Sequence, residues 1–101
     1  MELNKNISHK IKGRHFGGVP FCNQNCKVSI ALYDGTIYIE DLERCKSVHN
    51  IEITTIINAQ LQFYEDIPYL VIQTQNLEYI FESQEKDILN MINAIKTALN
   101  I

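Results

Sequence analysis

The sequence predicts an α+β domain, in which a bent antiparallel sheet or partial barrel of six to seven strands is capped by a C-terminal α-helix. Apolar residues alternate with polar ones at the strand period in several short segments between residues 27 and 81. After residue 83 the spacing of apolar residues changes to the helical one, and strands followed by a helix are typical of this class. With 101 residues, 46% of them hydrophobic, the chain has the size and composition of one globular domain.

The clearest hairpin is centred on Asp34-Gly35. This pair tolerates the positive φ angles that a type I′ turn requires, so it is a strong hairpin signal. Apolar residues alternate on both sides of the turn and share one face of each strand: Val28, Ile30 and Leu32 before it, Ile37 and Ile39 after it.

The middle of the chain predicts a loop and then a long strand. Residues 41–50 are polar and charged, which favours a loop. Residues 51–63 alternate at the strand period, with a kink expected near Thr54 and Thr55. The residues expected on the half-buried face of this strand are Ile57, Ala59, Leu61 and Phe63.

The last third of the chain predicts a hairpin and a helix. Residues 65–68 favour a turn, and the strands 69–74 and 77–81 are joined across Gln75-Asn76. A helix is expected from about Ser83, its N-cap, to Leu99, with Glu85 and Asp87 favoured by the helix dipole in the first turn. Its apolar face is expected to consist of Ile88, Met91, Ile92, Ile95 and Leu99.

Residues 1–18 predict a basic N-terminal arm and a turn that precede a domain of residues 19–101. No sustained period is present, apart from a weak strand signal at residues 7–11, and Gly17-Gly18-Val19-Pro20 favours a turn. Residues 1–15 contain four Lys or Arg and one Glu, a net +3, whereas the remainder has five against eleven, a net −6. Such an arm contacts an anionic partner, lies on the acidic body or is solvated.

The basic cluster supplies the candidate binding residues, which are Lys10, Lys12, Arg14, His15 and Phe16. The acidic body opposes a polyanion, so we expect no nucleic-acid partner. Anionic lipid is expected to attract the arm only weakly and in a salt-sensitive manner. We identify no small-molecule substrate.

Cysteine and histidine residues raise the question of a metal. Cys22, Cys26, Cys45 and His49 are four candidate zinc ligands, but their spacing of three intervening residues differs from the usual two, so we expect no metal or cofactor. An odd cysteine count, with neither a signal-peptide pattern nor an apolar span, predicts a cytoplasmic protein. A thiol-dependent hydrolase is the enzymatic alternative, with Cys22 as the first residue to test.

The segment His15-Phe16-Gly17-Gly18-Val19-Pro20, followed by Cys26 to Ile30 and the Asp34-Gly35 turn, resembles the start of small bacterial pleckstrin-homology-like domains. The resemblance extends over residues 15–99. It implies a bent sheet closed by a C-terminal helix, and a module that binds lipid, peptide or a partner domain. The lipid-binding members resemble one another in a basic loop between the first two strands, whereas the Asp34-Gly35 loop here has no basic residue.

These observations together predict a non-catalytic adaptor of bacterial or phage type. We expect it to recognise a protein partner, or to self-associate, through a sheet edge. Exposed tyrosines are candidate anchors for such contacts: Tyr33, Tyr38, Tyr64, Tyr69 and Tyr79. The alternative is a peripheral membrane module whose basic arm contacts anionic lipid.

Overall fold

The computed structural model describes residues 3–20, 22–43 and 48–100. In this part of the chain seven strands form one open antiparallel sheet, in the order β4-β3-β2-β1-β7-β6-β5, and one α-helix follows them. The predicted α+β class is thus confirmed. The elements are β1 (His9–Gly17), β2 (Lys27–Tyr33), β3 (Thr36–Asp41), β4 (Val48–Glu52), a 3₁₀ turn (Ile53–Thr55), β5 (Ile56–Tyr64), β6 (Ile67–Thr74), β7 (Glu78–Glu82) and α1 (Glu85–Leu99).

Strand β1 lies at the middle of the sheet, between β2 and β7. The expectation that residues 1–18 form an arm and a turn is wrong for residues 9–17, and the weak strand signal at 7–11 marks only the start of β1. Ile11 and His15 are the residues of β1 that are buried, and charged residues and a glycine separate them, so the strand period is hard to recognise. Gly13 is needed because a Cβ there would overlap the carbonyl oxygen of Glu82.

The hairpin at Asp34-Gly35 is confirmed. Both residues have positive φ, 52° and 79°, as a type I′ turn requires. The alternating apolar residues of β2 and β3 are buried on the inner face of the sheet, which we define as the face that packs on α1: Val28, Ile30, Leu32, Ile37 and Ile39.

A 3₁₀ turn lies at the predicted kink, but residues 51–63 do not form one bent strand, since β4 and β5 on its two sides are the opposite edges of the sheet. The predicted loop of residues 41–50 is also too long, because β3 extends to Asp41 and β4 begins at Val48. One predicted side-chain direction is wrong, since Ile57 is 66% exposed. The register of β5 against β6 shifts between Ile56 and Asn58, so a bulge turns Ile57 outward and leaves Ile56, Ala59 and Leu61 packed on the core. Phe63 is also exposed, because it lies beyond the core near the end of β5.

The turn between β5 and β6 is tighter than predicted. Glu65 and Asp66 adopt positive φ and form a two-residue turn, so Ile67 and Pro68 already belong to β6. Pro68 fits there because it pairs with Phe63 at a position where a strand N–H points away from β5, and because β7 pairs only from Tyr69 onward. The last hairpin closes across Gln75-Asn76 as expected.

Helix α1 covers the inner face through Ile88, Met91, Ile92, Ile95 and Ala98, all buried, while Leu99 is only partly buried. The prediction that Ser83 is the N-cap of α1 is wrong. Gln84 occupies that position, and the Ser83 hydroxyl donates instead to the Lys12 carbonyl at 2.7 Å. Near the other end of α1, the Asn4 N–H donates to the Ala98 carbonyl, so the first described residues lie on the body of the domain.

No helix within the described ranges has the length and apolar character needed to cross a bilayer.

Candidate functional site

The two edges of the sheet are β4 and β5, and they differ in composition. Strand β5 has nine residues, IINAQLQFY, with no charged residue, no proline and no glycine. Proteins usually protect long edge strands with charge, proline or a covering element, since unpaired backbone groups there accept a further strand. Strand β4 has five residues, including a charged one. The longer and uncharged edge is therefore the one better suited to pairing.

The hydrogen-bond phase of the sheet shows which groups of β5 face outward. Hydrogen-bonded and non-hydrogen-bonded residue pairs alternate along an antiparallel ladder. The bond from the Thr74 N–H to the Leu77 carbonyl shows which pairs of β6 and β7 are hydrogen-bonded, and the two-residue turn at Glu65-Asp66 shows the same for β5 and β6. By this alternation Gln60 and Gln62 bond to β6, whereas the N–H and C=O groups of Ala59, Leu61 and Phe63 point away from it. Among the described residues these outward groups have no hydrogen-bond partner on that side.

A groove of about 300 Å³ lies beside this edge, on the outer face of the sheet. Phe16 and Tyr69 form one wall, with their rings edge to face and their centroids 5.6 Å apart. The register of β1 against β7 shifts between His15 and Gly17, so Phe16 is an extra residue in a bulge. The residues that line the groove are Phe16, Gln62, Phe63, Tyr64, Tyr69, Val71, Glu78 and Ile80.

The predicted basic cluster is divided between the two faces of β1. Lys10, Lys12, Arg14 and Phe16 alternate onto the outer face, so Phe16 reaches the groove and the two lysines stay exposed. Arg14 pairs in register with Glu82 of β7, and its Nη1 donates to the Asn25 carbonyl at 3.2 Å. His15 is 3% exposed and is not part of this surface.

His15 has a positioning role inside the fold. Its Nε2 accepts a hydrogen bond from the Val19 N–H at 3.0 Å, so the proton of the neutral ring is on Nδ1 and faces the Asn23 carbonyl at 3.2 Å. Asn25 N–H donates to the His15 carbonyl. The ring and backbone of His15 thus fix the loop between β1 and β2.

That loop brings two thiols to a carboxylate. The Sγ atoms of Cys22 and Cys26 are 3.5 Å apart, and Cys26 Sγ lies 3.2 Å from Oδ1 of Asp41, the last residue of β3. Burial, reinforced by the hydrogen bond to Asp41, raises the pKa of the Cys26 thiol to about 12. Cys26 is therefore a protonated thiol at neutral pH, unlike the thiolate that a nucleophile requires.

Of the four zinc ligands considered from the sequence, the structure brings Cys22 and Cys26 together. His49 lies on β4, and its Nε2 is 3.1 Å from the Tyr79 hydroxyl. Burial lowers the pKa of His49 and raises that of Tyr79. Cys45 lies outside the described residues. In the described part of the chain, the group of metal-ligating side chains that lie together is Cys22, Cys26 and Asp41.

Sequence reasoning missed both the free edge of β5 and the role of Asp41. Strand order decides which strand is an edge, and no local pattern in β5 reveals that order. The polar segment 41–50 predicts that Asp41 lies in a solvated loop, whereas Asp41 is 3% exposed. The absence of charged residues from IINAQLQFY is the one feature of the sequence that indicates an edge open to pairing.

Comparison with known proteins leaves the family of this chain open, since neither a family model nor a curated protein matches it.

Proposed function

We propose that this protein is a non-catalytic binding module that recognises an extended segment of a partner protein, which adds as a strand to the edge of β5. The observation that carries the proposal is the combination of an uncharged nine-residue edge with an apolar groove beside it. Strand addition supplies affinity through main-chain hydrogen bonds and specificity through pockets for alternate side chains. Both parts are present at β5.

The chemistry of the expected partner follows from the site. Its segment pairs with the outward groups of Ala59, Leu61 and Phe63, so it must be extended and free of proline at the paired positions. Side chains on one face of the added strand lie next to Gln62 and Tyr64, where the groove accepts an apolar or aromatic residue. Each hydrogen bond contributes about 0.5–1.5 kcal/mol net, and a buried apolar side chain about 1.5–3 kcal/mol. After the cost of association, micromolar affinity is expected.

The resemblance to small bacterial pleckstrin-homology-like domains belongs to this proposal. Seven antiparallel strands followed by a helix that packs on the inner face support it. Cytoplasmic location is part of the same proposal and rests on the odd cysteine count.

A second copy of the chain is the other occupant that the edge favours. Two uncharged β5 strands pair without repulsion between like charges, which gives a two-fold symmetric dimer. We rank a partner segment above a second copy, because Asn58, Gln60 and Gln62, which a second β5 would bring to the outer face, are polar and only Tyr64 on that face is aromatic. Sedimentation of the purified chain decides between the two occupants.

Binding of anionic lipid through Lys10 and Lys12 is the alternative function. Both side chains are exposed on the outer face of β1. Arg14, the third cation of this face, lies opposite the acidic Glu82 in the register of β1 and β7, and its Nη1 already donates to the Asn25 carbonyl, so it is less suited to a lipid headgroup than the two lysines. Sedimentation with anionic vesicles at low and high salt tests this function. Salt-sensitive binding to such vesicles would favour it over the protein-binding module.

The experiment for the main proposal is selection of peptides from a random display library on the immobilised full chain, followed by titration of the selected peptides against variants. Phe63→Pro removes an outward N–H at the edge of β5, and Phe63→Ala removes the ring but keeps that donor. Val48→Pro is the matched control at the other edge: Val48 is 54% exposed against 56% for Phe63, and its N–H also points away from its neighbour.

We expect Phe63→Pro to weaken peptide binding at least about tenfold more than Phe63→Ala, because the proline removes a hydrogen bond and places a ring in the path of the added strand. Val48→Pro should bind like the unmodified protein. If Val48→Pro weakens binding as much as Phe63→Pro, or if neither does, the edge of β5 is not the binding site.

A further inference from the structure

The cluster of Cys22, Cys26 and Asp41 has the geometry of three corners of a metal site. Their ligand atoms all lie within 4.8 Å of one another. In a tetrahedral zinc site, with Zn–S bonds of about 2.3 Å and a Zn–O bond of about 2.0 Å, two sulfurs lie about 3.8 Å apart and a sulfur and an oxygen about 3.5 Å apart. The observed 3.5 Å between the sulfurs and 3.2 Å from Cys26 to Asp41 need to widen by only about 0.3 Å each.

The loop that carries the cysteines is already held in place. His15 fixes the Val19 N–H and the Asn23 carbonyl, and Asn25 adopts a positive φ of 70° that turns the chain into β2. Cys22 and Cys26 are therefore close before any ion binds. Such pre-organisation by groups outside the ligand set orients ligands and raises metal affinity.

The burial of the cluster also suits a bound ion. Cys26 is 6% and Asp41 3% exposed, so two of the three ligand residues are shielded from water, and Cys22 is half-buried. A polar cleft of about 350 Å³, lined by Asn23, Gln24, Asn25, Cys26 and Glu43, leads from Cys26 to the surface and offers an entry path. An entry path is one of the features that a metal site requires.

We propose that Cys22, Cys26 and Asp41 bind one zinc ion. Two sulfurs and one carboxylate oxygen in tetrahedral positions favour zinc over magnesium or calcium, which prefer oxygen ligands in larger number. Binding displaces the thiol protons, and a fourth position remains for a water or another side chain. This ligand set differs from the one considered from the sequence, since it contains Asp41 and neither Cys45 nor His49.

The test is zinc binding by the full-length chain, reduced, stripped with a chelator and dialysed. Zinc is titrated against a chromophoric competitor, and metal content is measured by mass spectrometry. Cobalt is used as a spectroscopic probe, since tetrahedral thiolate coordination gives a characteristic visible absorption. The variants are Cys22→Ser, Cys26→Ser and Asp41→Asn, and His49→Gln is the control because His49 contacts Tyr79 instead of the cluster.

We expect one zinc per chain with submicromolar affinity and a tetrahedral cobalt spectrum. Substitution of a residue that hydrogen-bonds to a metal ligand typically lowers metal affinity about 10–100-fold, so substitution of a ligand itself should lower it more than about 100-fold. His49→Gln should bind zinc like the unmodified chain.

The proposal is overturned if the unmodified chain binds no stoichiometric zinc at micromolar concentration. It is also overturned if Asp41→Asn keeps full affinity while His49→Gln loses it. The zinc titration of the unmodified chain tests the proposal even if a variant at a buried position fails to fold. Cys22→Ser changes a half-buried residue and is therefore the variant expected to disturb the core least.

Discussion

Two contacts of the His15 ring fix the path of the loop between β1 and β2. The ring nitrogens meet a donor, the Val19 N–H, and an acceptor, the Asn23 carbonyl, so one tautomer of the neutral imidazole satisfies both. Because His15 follows Lys12 and Arg14 closely in the sequence, it was expected on the same basic surface. Alternation along β1 instead turns it into the interior, where its hydrogen bonds position other residues.

Gly18 illustrates how strictly the turn after β1 is defined. Its φ is +99°, and a Cβ at this position would overlap the Glu78 carbonyl oxygen. Gly17 lacks both constraints, since a Cβ there comes no closer than 4.0 Å, to Cδ1 of Ile80.

We therefore expect Gly18→Ala to lower the free energy of unfolding by about 1–3 kcal/mol, and Gly17→Ala to change it by less than about 0.5 kcal/mol. Urea denaturation followed by circular dichroism measures both. Equal effects of the two substitutions would show that the turn does not have the geometry described.

Successive residues of strand β5 direct their backbone groups alternately towards β6 and towards the open edge. Gln60 and Gln62 hold the strand to β6, whereas Ala59, Leu61 and Phe63 present their backbone groups at the edge. The strand is thus secured on one side and open on the other.

This alternation predicts different costs for proline at neighbouring positions. Gln62→Pro removes an N–H that bonds to Tyr69, and it should lower the free energy of unfolding by about 2 kcal/mol more than Phe63→Pro, which removes an outward N–H. Chemical denaturation of both variants without any ligand measures the difference. If Phe63→Pro proves the more damaging, the hydrogen-bond phase assigned to β5 is wrong.

Helix α1 shows what sequence periodicity captures well. The spacing of Ile88, Met91, Ile92 and Ile95 predicted the buried face, because these residues fall on one side at 3.6 residues per turn. The N-cap was predicted less well. Ser83 is a good capping residue by type, but the close approach of β1 offers its hydroxyl the Lys12 carbonyl instead.

In the whole molecule, patterns among residues near in sequence predict the class of fold, whereas the position of the β5 edge and of the Cys22, Cys26 and Asp41 cluster depends on contacts between residues far apart in sequence. The Asp34-Gly35 turn and the helix of α1 depend on residues near in sequence, and both are confirmed. Strand order, which makes β5 an edge and places β1 at the centre, depends on pairs far apart in the chain, such as Arg14 with Glu82. The contact of Cys26 with Asp41 is of the same kind.

The proposed zinc site and the proposed binding edge lie on different elements. The site joins the loop between β1 and β2 to the end of β3, whereas the edge is β5. Failure of one proposal therefore leaves the other standing.

Strand addition at β5 is tested most directly by amide hydrogen exchange of the ¹⁵N-labelled chain, measured by NMR with and without a selected peptide. Strand addition at β5 predicts that bound peptide slows exchange at Ala59, Leu61 and Phe63, while Gln60 and Gln62, already bonded to β6, change little. Protection confined to the β4 amides of Val48 and Asn50, or no change along β5, would show that the peptide does not add to the edge of β5.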